Sequence, residues 1–326
     1  MAGYREEDRI GIVAAVGGGV IGNGWVAAFL GSGRAVRLYD PAPEAEARTR
    51  VHVTAAWSQM AALGLAQDGD TWSDRLTVHA TLDEAVASAD FVQESTPERT
   101  DLKIALFAQL DCLVPADVLI ASSTSSLPIT ELQAGLPSAD RFVLGHPFNP
   151  VHLIPLVEVG GGKATAANAI DAALALYIAM GKQPIRLERE IYGHIGNRLA
   201  SAMFREAVRL VVEGYATVAD IDRAIRFGPA LKWAIQGQFA TFHTSGGAGG
   251  LAEFLPKFAP GIMRRWSTMA DPALDDPAVA ALLVKQMEEA AGSLSLTAIA
   301  ARQDRRLMEM LKLLTLADDC SKPSGS

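Results

Sequence analysis

Apolar residues in this chain come in short runs up to about residue 190 and in helical stripes beyond it. Ile10 to Val16 is the first run. Ala35 to Tyr39, Arg75 to His79, Phe91 to Glu94, Val118 to Ala121, Phe142 to Gly145, Leu153 to Val159 and Gln183 to Leu187 follow it. Their length and the turn residues that bound them predict strands. The segments between are helical in character. Asn23 to Leu30 is apolar, and Pro41 to Leu63 is rich in Ala, Glu and Arg and stops near Gly64. Leu82 to Ser88 follows a capping Thr81, and Asp101 to Leu110 opens on an acid. Ala66 to Asp74 reads as loop. Strands alternating with helices of this size imply a parallel sheet wound on both faces. From Ile191 the texture changes. Ile195, Leu199, Ala202, Met203, Ala207, Leu210 and Val211 mark one stripe of a long helix, with Asn197 and Arg198 in its first turns. Shorter helices, a glycine cluster from Ser245 to Gly250 and helices from about Val279 to Leu314 complete the chain. The expected division is residues 1–190, residues 191–316 and a frayed tail over 317–326.

Between the first strand and the first helix, Gly17-Gly18-Gly19-Val20-Ile21-Gly22 fits G-x-G-x-x-G on Gly17, Gly19 and Gly22. The first glycine permits a tight turn, the second lets backbone approach a pyrophosphate, and the third lets helix pack on strand. No acid occupies the start of the helix, so its amides and dipole are available to a phosphate. Asp40 ends the second strand, where a carboxylate takes both hydroxyls of an adenosine ribose and repels a 2′-phosphate. No Arg or Lys directly follows it, so NAD is expected rather than NADP. The fold class expected is α/β: a Rossmann doubly wound parallel sheet with a C-terminal all-helical domain. Ile10 to Gly33 carries no charge, yet its eight glycines would make a poor lipid-facing helix.

The bulk numbers narrow the function classes. A chain of 326 residues, 49% apolar and 20% charged, suits a soluble globular protein of one large or two medium domains. A net charge of −8 gives no reason to expect nucleic acid or an anionic membrane. Cys112 and Cys320 are solitary, with no metal-like or disulfide spacing, which points to the cytoplasm. Met1 to Asp8 lacks the apolar core of a signal peptide.

Ligands of open parallel sheets bind beyond the carboxyl ends of the strands. That rule selects Glu98, the hydroxyl run Ser122 to Ser126, His146 and then Glu158. Hydride transfer from an alcohol needs a base for the hydroxyl proton. Histidine suits it, and a carboxylate on the other ring nitrogen fixes the tautomer and stabilises the imidazolium. His146 with Glu158, twelve residues on, is one candidate for such a pair, which spacing alone does not establish. By residue type alone, a strand-end histidine also serves structurally, and a lone strand glutamate also pairs with arginine.

Four further motifs are Ser122 to Leu127, Gly145-His146-Pro147-Phe148-Asn149-Pro150, Leu156 to Val159 and Gly193-His194-Ile195-Gly196-Asn197-Arg198-Leu199. With the nucleotide turn they resemble, in order and over almost the whole chain, the motif series of the 3-hydroxyacyl-CoA dehydrogenase superfamily. The resemblance implies His146 as catalytic base and Glu158 as its orienting acid. It implies Ser125 and Asn197 as hydrogen-bonding partners of the substrate oxygen. Glu98 would lie near the nicotinamide end, with Lys103 also among the cofactor-binding residues beside Gly17, Gly19, Val20, Ile21, Gly22 and Asp40. A homodimer built on the helical domain is implied too. Pro147 and His194 stand where acyl-CoA members have Phe, and both positions would adjoin the substrate.

In the second domain, Ile221 to Gly228, Leu231 to Ala234, Gly237 to Phe239, Thr241 to His243 and Gly246 to Gly250 resemble the bacterial L-carnitine dehydrogenases. Lambda-crystallin-like L-gulonate dehydrogenases are more distant relatives, and Gln238 is a departure. The implied reaction is NAD-dependent oxidation of L-carnitine at its 3-hydroxyl; a 3-hydroxyacyl-CoA or L-gulonate dehydrogenase is the alternative. A non-catalytic protein of the same fold is the third. A trimethylammonium group is best held by aromatic faces. Trp233, Phe239, Phe242, Phe254 and Trp266 are candidates, Trp233 and Phe242 first, with helix packing the other use of each. Arg198, Arg226 and Lys232 are candidate partners for a carboxylate, with solvation the alternative.

Overall fold

The computed structural model describes residues 3–66 and 71–319. The chain forms two compact units that divide between Asn197 and Arg198. The first holds β1 (Ile12–Val16), β2 (Ala35–Tyr39), β3 (Leu76–His79), β4 (Phe91–Glu94), β5 (Leu119–Ser122), β6 (Phe142–Pro147), β7 (Leu156–Gly161) and β8 (Gln183–Arg186). They lie in the order β3-β2-β1-β4-β5-β6-β7-β8, so strand order reverses between β1 and β4. This is the Rossmann arrangement, and its reversal point opens a crevice at the carboxyl ends of the strands.

Helices cover both faces: α1 (Val20–Gly31), α2 (Ala45–Ala62), α3 (Leu82–Val86), α4 (Thr100–Leu113), the short α5 (Ile129–Leu132) and α6 (Ala167–Ala179). Val13 and Ala15 of β1 bury against α1, α2 and α6. Ala14 and Val16 bury against α3, α4 and α5. Alternate residues thus enter two cores, which is why the strands read as continuous apolar runs. Thr81 caps α3 as expected, its hydroxyl accepting from the Glu84 amide at 3.3 Å.

One expectation needs correction. β6 and β7 are antiparallel, whereas every other neighbouring pair is parallel. Residues 148–155 are too few to carry a crossover helix, so the chain turns back on itself. The register this sets places His146 directly opposite Glu158.

The turn is pinned from behind. The Lys182 ammonium donates to the carbonyls of Val151 and Ile154, and His152 Nε2 donates to Gln59 Oε1 at 2.7 Å. The ring of His52 meets that of His152 edge-on, with centroids 5.6 Å apart. Burial, with His52 and Lys182 nearby, pulls His152 down to about 4 from 6.5. A base depressed on folding binds more protons when unfolded. Its contribution is therefore whole above pH 6.5 and drains as pH falls towards 4. Unfolding free energy should drop by about 2 kcal/mol between pH 7 and pH 5 from this group, and His152→Gln should flatten that loss. Urea titrations at both pH values check it; parallel losses in the two proteins would acquit His152.

The second unit is helical, with α7 (Gly196–Val212) crossing into it, then α8 (Val218–Phe227), α9 (Pro229–Ser245), α10 (Gly250–Trp266), α11 (Pro277–Ala291) and α12 (Leu296–Asp319). Gly237, at φ +78°, breaks α9 in two. α9 and α10 pack through Phe242, stacked on Phe254 at 4.8 Å. On the α7 stripe Val211 is buried, but Leu199 is 68% exposed and Met203 41%. α12 stays helical to Asp319, past the tail boundary drawn at 316; the rest of that tail, with Cys320, lies outside the described residues. Among the described residues no helix is long and apolar enough to cross a membrane.

Candidate active site

Two of the three glycines of the nucleotide turn, Gly17 and Gly22, cannot be exchanged for anything larger without moving backbone. Gly17 has φ +101°, and a Cβ there would lie 2.6 Å from the Ser95 carbonyl oxygen. A Cβ on Gly22 would meet the Gly17 carbonyl oxygen at 1.8 Å. At Gly19 an added Cβ meets none of the described residues within 4 Å, so the space beside this backbone is open. Gly19 is also the N-cap of α1, with no side-chain cap and no acid in the first turn. Open backbone before an uncapped helix fits the pyrophosphate of a dinucleotide.

Asp40 follows β2. Its Oδ2 accepts from the Gly18 amide at 2.6 Å and its Oδ1 from the Ala42 amide at 2.8 Å. These bonds hold the carboxylate against the turn. Although no cation follows Asp40 in sequence, α2 brings the Arg48 guanidinium to 4.0 Å from it.

Beyond β4, Glu98 organises the hydroxyl run. Its Oε1 accepts from Thr124 Oγ1 at 2.7 Å, from the amides of Ser125 and Ser126 at 2.9 and 3.0 Å, and from both serine hydroxyls. Burial pushes this carboxyl up, but the Thr124 hydroxyl, the Lys103 charge and the Ser126 and Ser125 bonds outweigh it and hold it below the usual range. Lys103 itself is 1% exposed, and its ammonium lies 2.7 and 2.9 Å from the two oxygens of the fully buried Glu94. It touches the Glu98 carboxylate only at 3.8 Å. Thus Lys103, grouped from sequence with the cofactor residues, is an interior cation that backs Glu98. Ser122 Oγ and the Thr96 hydroxyl and amide complete the shell around Glu94.

His146 and Glu158 meet across the β6–β7 hairpin, with Nδ1 and Oε2 at 2.8 Å. The other carboxylate oxygen accepts from the amides of Ile195 at 2.8 Å and Gly196 at 2.9 Å, at the start of α7. Burial raises the Glu158 carboxyl, and the bonds from His146, Gly196 and Ile195 more than offset this and keep it ionised. A carboxylate only accepts, so the His146 hydrogen sits on Nδ1 and the Nε2 lone pair is left for chemistry. Phe148 lies edge-on to the His146 ring at 5.2 Å. Its ring occupies the space a Cβ on Gly196 would need, 2.3 Å from its Cζ. Asn197 Nδ2 reaches the Ser125 carbonyl at 3.4 Å. Ser125, Glu98, Asn197, His146 and Glu158 are therefore joined in one first-unit network.

Arg198, Trp233 and Phe242 belong to the second unit. There Trp233 is half-buried on α9, Phe242 packs on Phe254, and Arg226 lies over Phe227 at 5.3 Å. Sequence reasoning overlooked Glu94, Arg48 and the two amides on Glu158. Only Glu94 left a signal: a charge ending an apolar strand nine positions before a lysine.

The chain is similar to known proteins over most of its length. The model of the 3-hydroxyacyl-CoA dehydrogenase NAD binding domain matches residues 12–191, and that of the family's C-terminal domain matches residues 193–272. An L-carnitine dehydrogenase of Streptomyces coelicolor is 49% identical over 92% of this chain and 93% of its own. That of Streptomyces griseus is 48% identical over 92% and 89%. A solved structure of an NAD+-dependent dismutase, 5-formyl-3-hydroxy-2-methylpyridine 4-carboxylic acid 5-dehydrogenase, is 29% identical. It superposes with a TM-score of 0.81, covering 94% of this chain and 99% of that one. Matched in order by the models of both domains of one family, the chain belongs to the 3-hydroxyacyl-CoA dehydrogenase family and is an NAD-dependent dehydrogenase.

Proposed function

We propose that this enzyme oxidises the 3-hydroxyl of L-carnitine to 3-dehydrocarnitine, with His146 as base. The relatives named L-carnitine dehydrogenase, 49% and 48% identical over nine-tenths of the chain, carry the choice of substrate. Bound NAD supplies the acceptor for the hydrogen that leaves carbon 3 with its electron pair. Gly17, Gly19, Gly22 and the amides of Val20 and Ile21 would hold its pyrophosphate, Asp40 its adenosine ribose, and Glu98, backed by Lys103, its nicotinamide end. His146 Nε2 takes the hydroxyl proton while the O–H electrons become the second bond of the carbonyl. Glu158, itself held by two amides, keeps the Nδ1 hydrogen in place and offsets the imidazolium charge. Ser125 and Asn197 hydrogen-bond the substrate oxygen. Trp233 and Phe242 are the faces for the trimethylammonium, each worth about 1 kcal/mol, and Arg198 is the partner for the carboxylate.

The deciding measurement is kcat/KM with NAD for L-carnitine, L-gulonate and 3-hydroxybutyryl-CoA. L-Carnitine should lead by roughly a decade, equivalent to about 1.4 kcal/mol. A clear win for either competitor removes the carnitine assignment and leaves the dehydrogenase.

In the same reading the enzyme is a cytoplasmic homodimer. Leu199, Met203, Phe204 and Phe227 are exposed on α7 and α8, an apolar face of the kind oligomers bury. A monomer at micromolar concentration in light scattering would refute this.

A further inference from the structure

Two segments of the site stand on different elements. The hydroxyl run after β5 is anchored to Glu98, and the segment from Gly193 to Asn197 is anchored to Glu158 through its amides. If Ser125 and Asn197 are to meet one oxygen while His146 meets its hydrogen, the spacing of these segments has to hold. The Asn197 bond to the Ser125 carbonyl, at 3.4 Å, is long. The firmer bond runs from His194 Nε2 to the Thr124 carbonyl at 3.0 Å.

His194 is an unusual residue to find here. It has φ +50°, a left-handed conformation that costs a non-glycine residue free energy and persists only when its surroundings fix it. It is 3% exposed, and its ring centroid lies 5.1 Å from that of His146, tilted by 52°. Thr124 is fully buried, so its carbonyl needs a protein donor, and a carbonyl only accepts. The hydrogen of His194 is therefore on Nε2. His146 of β6, Glu158 of β7 and Glu98 beyond β4 are the charged or titratable groups around it. Burial holds its imidazole below the usual range despite the Thr124 bond, so the ring stays neutral.

We propose that His194 is a positioning residue of the reaction: its Nε2–H, bonded to the Thr124 carbonyl, sets the spacing between Ser125 and the His146–Glu158 pair. A phenyl ring would fill the same volume but leave that carbonyl without its donor. The proposal rests on His146 being the base.

The test compares His194→Phe, His194→Gln and His146→Ala, using L-carnitine and NAD, by kcat, KM, pH–rate profile and melting temperature. His194→Phe should lose on the order of ten- to a hundredfold in kcat with little change in KM, and its pH–rate profile should move. His194→Gln, whose amide reaches the same carbonyl, should restore most of the rate and the profile. A His194→Phe protein with wild-type kcat and profile, whatever its melting temperature, overturns the proposal. So does a His194→Gln protein as slow as a bare ring, which stays decisive even if His194→Phe fails to fold. An active His146→Ala protein instead overturns the base assignment beneath it.

Discussion

Replacing His146 by alanine is expected to lower turnover by ~10²–10⁴-fold, the range general acid–base catalysis supplies, while NAD still binds. The expectation follows from geometry. Glu158 is fully buried and accepts three hydrogen bonds, from His146, Ile195 and Gly196, so it stays ionised and fixes the imidazole tautomer. The nucleotide turn, on β1 and α1, shares no hydrogen bond with His146 among those of the described residues, so cofactor affinity should survive. Glu158→Gln is the companion experiment. A glutamine has one acceptor oxygen for donors on two sides and no charge to offset an imidazolium. It should cost less than losing the ring, but should alter the pH–rate profile. Steady-state kinetics and NAD binding by fluorescence decide both. Near-normal turnover in His146→Ala would remove His146 from the chemistry.

The second large effect is on stability. Lys103→Met leaves the Glu94 carboxylate buried without its cation, and breaking a buried pair from one side costs about 3–5 kcal/mol. For a domain of this size that corresponds to a fall in melting temperature of roughly 10 °C. The double variant Glu94→Gln with Lys103→Met should recover much of the loss, because the residual charge is gone, the amide oxygen can still accept from the Thr96 hydroxyl and amide, and the Ser122 hydroxyl can turn to accept from the amide nitrogen. NAD affinity should weaken in the single variant, since Lys103 also backs Glu98. A melting curve unchanged by Lys103→Met would mean that the pair adds nothing to folding.

Much of the fold was legible in the chain. The run Phe91 to Glu94 is β4 without revision, and Thr81 caps its helix, because strand length and capping are local properties of neighbouring residues. The glycine turn was legible for a related reason. Its positive φ at Gly17 and its close approach at Gly22 are steric demands that only glycine meets, so they are written into residue type. Asp40 was legible as the acid closing β2. What no local pattern contained was which distant side chains those elements bring together.

Sequence alone determined the strands, the nucleotide turn and the residue types with the right chemistry at strand ends. Tertiary structure alone decided that β7 runs antiparallel to β6, which depends on how the short connection returns against the packed sheet. That reversal is what turns a twelve-residue spacing into a 2.8 Å contact between His146 and Glu158. It also decided that Lys103 faces inward to Glu94, that Arg48 reaches Asp40, and that His194 bridges to Thr124. Periodicity along a chain reports which face of an element is apolar; it does not report where a helix end or a single polar side chain arrives once several elements have packed.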